Sequence, residues 1–147
     1  MKLGPRYEGP PILVIEGEDD QLEPLTRQRR RLQSLLRELT DEQWMAPSRC
    51  ERWTVRDVVA HLVGVNAFWH ASVRAGLAGN PTRVLGAFDP VTTPLLMVDS
   101  MQALTAADVL TEFESTNEAF LSIVAGVTSA QWSTTAETPV GHVPLRL

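Results

Sequence analysis

At three expected helix starts in this chain a threonine stands three residues before a side chain that can reach back to it. Thr40 precedes Gln43, Thr54 precedes Asp57, and Thr105 precedes Asp108. In each pair the hydroxyl can accept from the third amide on, while the longer side chain accepts from the threonine's own amide. This satisfies backbone donors that a helix start otherwise strands, so it fixes where helices begin. The apolar spacing agrees. Leu22, Leu25, Leu32, Leu35, Leu36 and Leu39 recur at helical intervals and predict a first helix from about Asp20 to Leu39. Thr54 opens a second, ending near Gly76, with Val58, Leu62, Val65, Phe68, Trp69 and Val73 as its apolar face. Thr105 opens a third, to about Ala125, with a stripe of Val109, Leu110, Phe113, Phe120, Leu121 and Val124.

The connections are less regular. Residues 77–104 carry Pro81, Pro90, Pro94, Gly79 and Gly86, which predicts a long crossover loop with a short helix within "TPLLMVDSMQAL". "LTDEQW" after the first helix is echoed by "VTSAQW" after the third. Both fit a one-turn helix whose tryptophan plugs the bundle end, a weak internal repeat. Residues 1–19 are rich in Gly, Pro and charge and read as an extended arm before a bundle spanning 20–147. The fold class is all-α. Three long helices fall one short of a four-helix bundle. "ETPVGHVPLRL" reads as the approach to a fourth helix missing from this chain, or else a second copy supplies the packing surface.

Charge and cysteine usage exclude several functions. A net charge of −5 opposes binding to a phosphate backbone. Arg27, Arg29, Arg30 and Arg31 lie beside Asp19, Asp20 and Glu23, so they are expected on a solvated, salt-bridging face. The one cysteine, Cys50, permits no intrachain disulfide and fits a reducing compartment. No apolar run reaches membrane length, and "PILVI" is too short for a secretory core, so the cytoplasm is the expected location.

The residue with most chemistry in it is His61, on the second helix. With His61 at 0°, Val65 falls at about +40° and Phe68 at about −20°. The imidazole is therefore expected at the edge of the buried stripe, pointing into the bundle. Asp57, one turn earlier, is placed to bond a ring nitrogen, as a carboxylate commonly does for a metal-binding histidine. From spacing alone, a single inward histidine is more often a core residue than a ligand. His70 lies nine residues on, on the opposite face. His142 reads as a loop residue, and Glu114, Glu118 and Glu137 are acidic partners by composition only. Cys50, beside Arg49 and Arg52, reads as structural or incidental.

The segment "CERWTVRDVVAHL" resembles the signature of the mycothiol-dependent maleylpyruvate isomerase family, within the DinB-like metalloenzyme fold. Trp53, Thr54, Asp57, His61 and Leu62 match the family's helix-opening motif in place. The likeness continues through "RQRRRLQSLLRELTDEQW", "FDPVTTPLL" and "ETPVGHVPLRL". It implies a bundle of up-down helices with a long crossover, and a divalent metal, zinc, with His61 as first ligand and Asp57 as its orienting neighbour. It further implies a thiol cofactor such as mycothiol and an electrophilic small-molecule substrate. The metal would activate the thiol for isomerisation or conjugation. The family's other two ligands, an acid and a histidine one turn apart on a final helix, have no counterpart in this sequence. The 77–104 loop is then expected to cover the substrate, with Trp69 and Phe88 lining the pocket.

Two other readings stand beside it. One is a non-catalytic helical module that forms a homodimer through an exposed apolar face. The other is a helix-turn-helix regulator, which the acidic balance opposes.

Overall fold

A computed structural model describes residues 22–146. Three long helices carry it: α1 over Leu22–Arg37, α3 over Val55–Leu77 and α5 over Ala106–Ala125. Between them lie the one-turn α2, Asp41–Trp44, and the short α4, Thr92–Asp99. A single 3-10 turn covers Val84–Ala87 and another Gln131–Ser133. A two-stranded hairpin, β1 Thr135–Thr138 and β2 Gly141–Pro144, follows. The expected arm at 1–19 lies outside the described residues. Among the described residues no helix is long and apolar enough to cross a membrane.

All three capping boxes form. Thr40, Thr54 and Thr105 each accept from the amide three residues on, and Gln43, Asp57 and Asp108 each accept in return. The echoed hexamer repeats part of this chemistry: the amide and hydroxyl of Thr128 both donate to Gln131 Oε1, at 3.0 and 2.9 Å. Trp44 of the first hexamer is buried, and Trp132 of the second is half-buried against the core.

The core is two apolar clusters. One joins Leu36 of α1 and Trp44 to Val59 and Val63 of α3 and to Val109 and Phe113 of α5. The other joins Leu22 and Leu25 of α1 to Val73 of α3 and to Phe120 and Val124 of α5. Reading from the second cluster to the first, residue numbers rise along α1 and fall along both α3 and α5. So α1 runs against the other two, and α3 and α5 are parallel neighbours. Parallel neighbours need a connection that returns the full helix length, and residues 78–105 provide it. The short helix expected in that crossover is α4.

Between the two clusters sits a polar layer. Arg29 Nη1 donates to Asn66 Oδ1 at 2.6 Å and to Asn117 Oδ1 at 2.8 Å, and its guanidinium lies 4.4 Å from the centre of the Phe120 ring. This corrects the expectation of a wholly solvated arginine face. Arg27 does pair in solvent with Glu23, at 3.0 Å, but Arg29 occupies the line Leu22, Leu25, Leu32, Leu36 that α1 turns inward. Burial lowers the pKa of Arg29. An arginine can only donate, so the carbonyl oxygens of both asparagines face it. The Asn117 Nδ2 group is then left buried without a partner. Such a donor costs about 1–3 kcal/mol.

The apolar face of α3 also differs from expectation. Val59, Ala60, Val63 and Val73 are buried, while Val58, Leu62, Val65, Phe68 and Trp69 are half-buried. The helix is apolar nearly all round, because other elements cover its second side. There the residues are small. A Cβ added to Gly64 would meet Met97 Sδ of α4 at 2.9 Å, and one added to Gly76 would meet the Thr135 carbonyl of β1 at 2.5 Å. Ser72 Oγ donates to the Glu137 carbonyl at 2.7 Å. Glycine and serine thus let a helix and a strand approach the α3 backbone.

The hairpin pairs Thr135 with Pro144, Ala136 with Val143, Glu137 with His142 and Thr138 with Gly141. Gly141 has φ +113°, open only to glycine at low cost. The fold is therefore helical with a β-hairpin appended, and His142 belongs to β2, not to a loop. Four-residue strands are too short for alternation to stand out in the sequence.

Candidate functional site around His61

The side of α3 that packs on α1 and α5 is marked by Val59, Val63 and Asn66. At 100° per residue, Val59 and Val63 lie about 160° from His61. His61 therefore sits on the second side, with Gly64 and Ser72, and does not point into the space between the three long helices. It is half-buried, with Nδ1 fully buried and without a hydrogen-bond partner. Burial pushes its pKa below the ordinary histidine value, which favours the neutral ring. The indole of Trp53 lies against it, ring centres 5.3 Å apart and planes inclined by 43°.

Asp57 does not make the bond expected of it. Its Oδ2 accepts from the Thr54 amide at 3.0 Å and the Thr54 hydroxyl at 2.8 Å. Its Oδ1 accepts from Arg56 Nη1 at 3.1 Å and from Gln102 Nε2 at 3.5 Å. Burial alone would raise this carboxyl, but the Thr54 bonds and the Arg56 charge carry it below the ordinary range. Oδ2 is thus committed to starting α3, and Oδ1 to Arg56 and to Gln102 of the crossover. Arg56, itself buried, donates to the Leu104 and Met101 carbonyls and ties the end of the crossover to the same helix turn. The sequence did not mark it, because an arginine in a capped first turn reads as solvated.

The other candidate donors are occupied or distant. Glu114 accepts from Arg37 Nε at 2.6 Å on the α1–α5 surface. Glu137, read as an acid by composition only, is buried and accepts from the Thr82 hydroxyl at 2.7 Å and the Val84 and Leu85 amides at 2.9 Å each. Burial works to raise its pKa, and those three donors with His142 bring it down instead. His142 Nε2 lies 2.7 Å from the Thr82 carbonyl. Glu118 and Cys50 are exposed. His70 is half a helix turn round from His61. Among the described residues no three of His, Cys, Asp and Glu come together to hold a metal ion. A half-buried imidazole whose Nδ1 has no partner could fill one position of a metal shell, and no more than one. Trp69 packs edge-on to Phe68, ring centres 5.2 Å apart, within the second core cluster, and Phe88 is exposed.

Next to Trp53 the loop 46–55 closes on itself. Pro47 and Thr54 form an isolated β-bridge, and Arg52 takes φ +67°, uncommon outside glycine. An open cleft of about 320 Å³ lies along this loop, with Cys50 and Trp53 in its wall.

Three long helices, a crossover between the two parallel ones and a hairpin after the last define a class of helical bundle. The chain belongs to the family described as the mycothiol maleylpyruvate isomerase N-terminal domain, whose model matches residues 25–146. Its fold resembles the crystal structure of a mycothiol-dependent maleylpyruvate isomerase, with TM-score 0.68 and 16% identity over 84% of this chain. A histidine-to-alanine mutant of that isomerase matches with the same values. An uncharacterised protein from Escherichia coli matches with TM-score 0.61 and 16% identity, covering 76% of this chain and 70% of the other. The chain spans 52% of the length of the isomerase. No curated protein matches it.

Proposed function

We propose that this chain is the bundle part of an enzyme that uses a low-molecular-weight thiol of the mycothiol type, with a divalent metal such as zinc, to isomerise or conjugate an electrophilic small molecule. The observation that carries this is the buried, unpartnered Nδ1 of His61 in a chain of this family. A divalent ion, when bound, lowers the pKa of a coordinated thiol so that it is a thiolate at neutral pH. The chain's own residues serve that chemistry as follows. His61 offers one neutral nitrogen donor, kept neutral by burial. Thr54 and Asp57 fix the first turn of the helix that carries it. Met97 of α4 packs on the same side, so the crossover borders the site. A complete metal shell would need further donors, and none stands with His61 among the described residues.

Metal analysis tests the proposal. Protein purified without chelator is expected to bind Zn²⁺ or Co²⁺ and to turn over with mycothiol. His61→Ala is expected to lose about ten-fold or more in metal affinity. Equal metal content and equal turnover in the two proteins would remove the metal reading.

A second reading has its own observation. Leu35 is 56% and Met45 58% exposed, beside the end of α1. A module that associates through this apolar surface would be a dimer by light scattering, and Leu35→Lys would return it to a monomer.

A further inference from the structure

We infer that Glu137 is the latch of a strap: its carboxylate holds residues 81–91 of the crossover against the hairpin, and on release that segment opens while the helices stay in place. The post that carries the latch is firm. Ala136 of β1 is buried, and the Ser72 hydroxyl of α3 donates to the Glu137 carbonyl at 2.7 Å. The Thr135 carbonyl lies so close to α3 that a Cβ added to Gly76 would meet it at 2.5 Å. From this post the buried Glu137 carboxylate takes three bonds from the segment, from the Thr82 hydroxyl at 2.7 Å and from the Val84 and Leu85 amides at 2.9 Å each. Its cross-strand partner His142 adds a fourth contact, Nε2 to the Thr82 carbonyl at 2.7 Å.

The segment has little else to keep it there. None of residues 81–91 is buried, and Val84, Phe88 and Val91 turn large apolar side chains to solvent. The Phe88 amide donates to the Leu85 carbonyl, and Asp89 bonds to Val91, Thr92 and Thr93, all near neighbours in sequence. Among the described residues, the hydrogen bonds that tie 81–91 to a distant part of the chain go to Glu137 and His142. Both ends of the segment are held separately. The Asn80 amide donates to the Ala75 carbonyl at 3.0 Å, and Met97 of α4 packs on Gly64. A stretch with exposed side chains and few bonds opens at a lower free energy than the fold as a whole. The strongest bonds resisting that opening share one charged acceptor, so they are lost together. The segment borders the side of α3 that carries His61, Gly64 and Ser72, and the latch therefore governs access to that side.

Amide hydrogen exchange of the full chain, read by NMR, tests this. In the wild type the Val84 and Leu85 amides are expected to open together, and more often than those of Val63 and Phe113 in the core. Glu137→Gln keeps the size of the side chain and removes its charge. It should speed exchange at Val84 and Leu85 by about ten-fold or more, the scale of hydrogen bonds to a charged group. Val63 and Phe113 should change by less than about two-fold, because the opening is local. Arg83 is exposed within the strap, so trypsin should cut after it faster in this variant. Unchanged exchange at Val84 and Leu85 would overturn the latch. Equal acceleration at Val63 and Phe113 would overturn it too, since the segment would then leave only with the whole fold. If Glu137→Gln does not fold, Thr82→Val decides. It removes one donor from the strap alone and should speed Val84 and Leu85 by about three-fold, the scale of one neutral hydrogen bond, and no change there overturns the inference.

Discussion

The two sides of α3 are built on different rules. Towards α1 and α5 the helix presents Val59, Val63 and Val73, which fill a close-packed core, and Asn66, which accepts from Arg29. Towards α4 and β1 it presents Gly64, Ser72 and Gly76, which let backbone come close, and His61, whose buried nitrogen bonds to nothing. The first side is arranged for stability, with its polar atoms mostly paired. Each nevertheless leaves one buried polar atom unpaired: Asn117 Nδ2 in the layer between the long helices, and Nδ1 of His61 on the other side. In a protein held together by a small margin, each such atom is a cost that the surrounding packing offsets.

That contrast can be broken most forcefully on the core side. Phe113→Ala removes the largest fully buried side chain and is expected to cost about 3–5 kcal/mol in urea unfolding. A loss under about 1 kcal/mol would mean the α3–α5 seam is not the stabilising one. Arg29→Leu comes next. It strips Asn66 and Asn117 of their donor while adding an apolar side chain, for a net loss of about 2 kcal/mol. Adding Asn66→Leu and Asn117→Leu should recover much of it, because an apolar layer needs no partners, and failure to recover would show that the layer does more than fill space.

The smallest effect belongs to the other side. His61→Leu is expected to change stability near pH 8 by less than about 1 kcal/mol, with either no loss or a gain. The pH dependence sharpens the point. The folded-state pKa of His61 lies below its unfolded value. Below the ordinary histidine range the unfolded chain takes up the proton first, so the wild type loses stability as pH falls through that range and on towards the lower native value. His61→Leu should lack this slope. Parallel pH curves for the two proteins would place the ring in solvent.

Much of the helical frame could be read from the chain, because a capping box is local. Thr40, Thr54 and Thr105 need only residues three positions away, and all three formed. What failed was non-local. Arg29 fell on the leucine line of α1, but only Asn66 and Asn117, 37 and 88 residues distant, show why an arginine is tolerated there. The buried side of α3 was misjudged because valines and leucines occur all round it. Asp57 had two plausible partners by spacing, and the nearer one, its own helix cap, took it. His61 was legible as a residue of interest, while its direction was not, since that depends on which side of α3 receives α5.

Glu137 carries a consequence for the order in which the chain assembles. Its carboxylate holds the amides of Val84 and Leu85 and the hydroxyl of Thr82, within the stretch between α3 and α5. Yet Glu137 comes after α5. During synthesis the middle of the chain therefore emerges before the group that anchors it, and must wait unfastened until the hairpin arrives. Long-range closures of this kind slow the final stage of folding.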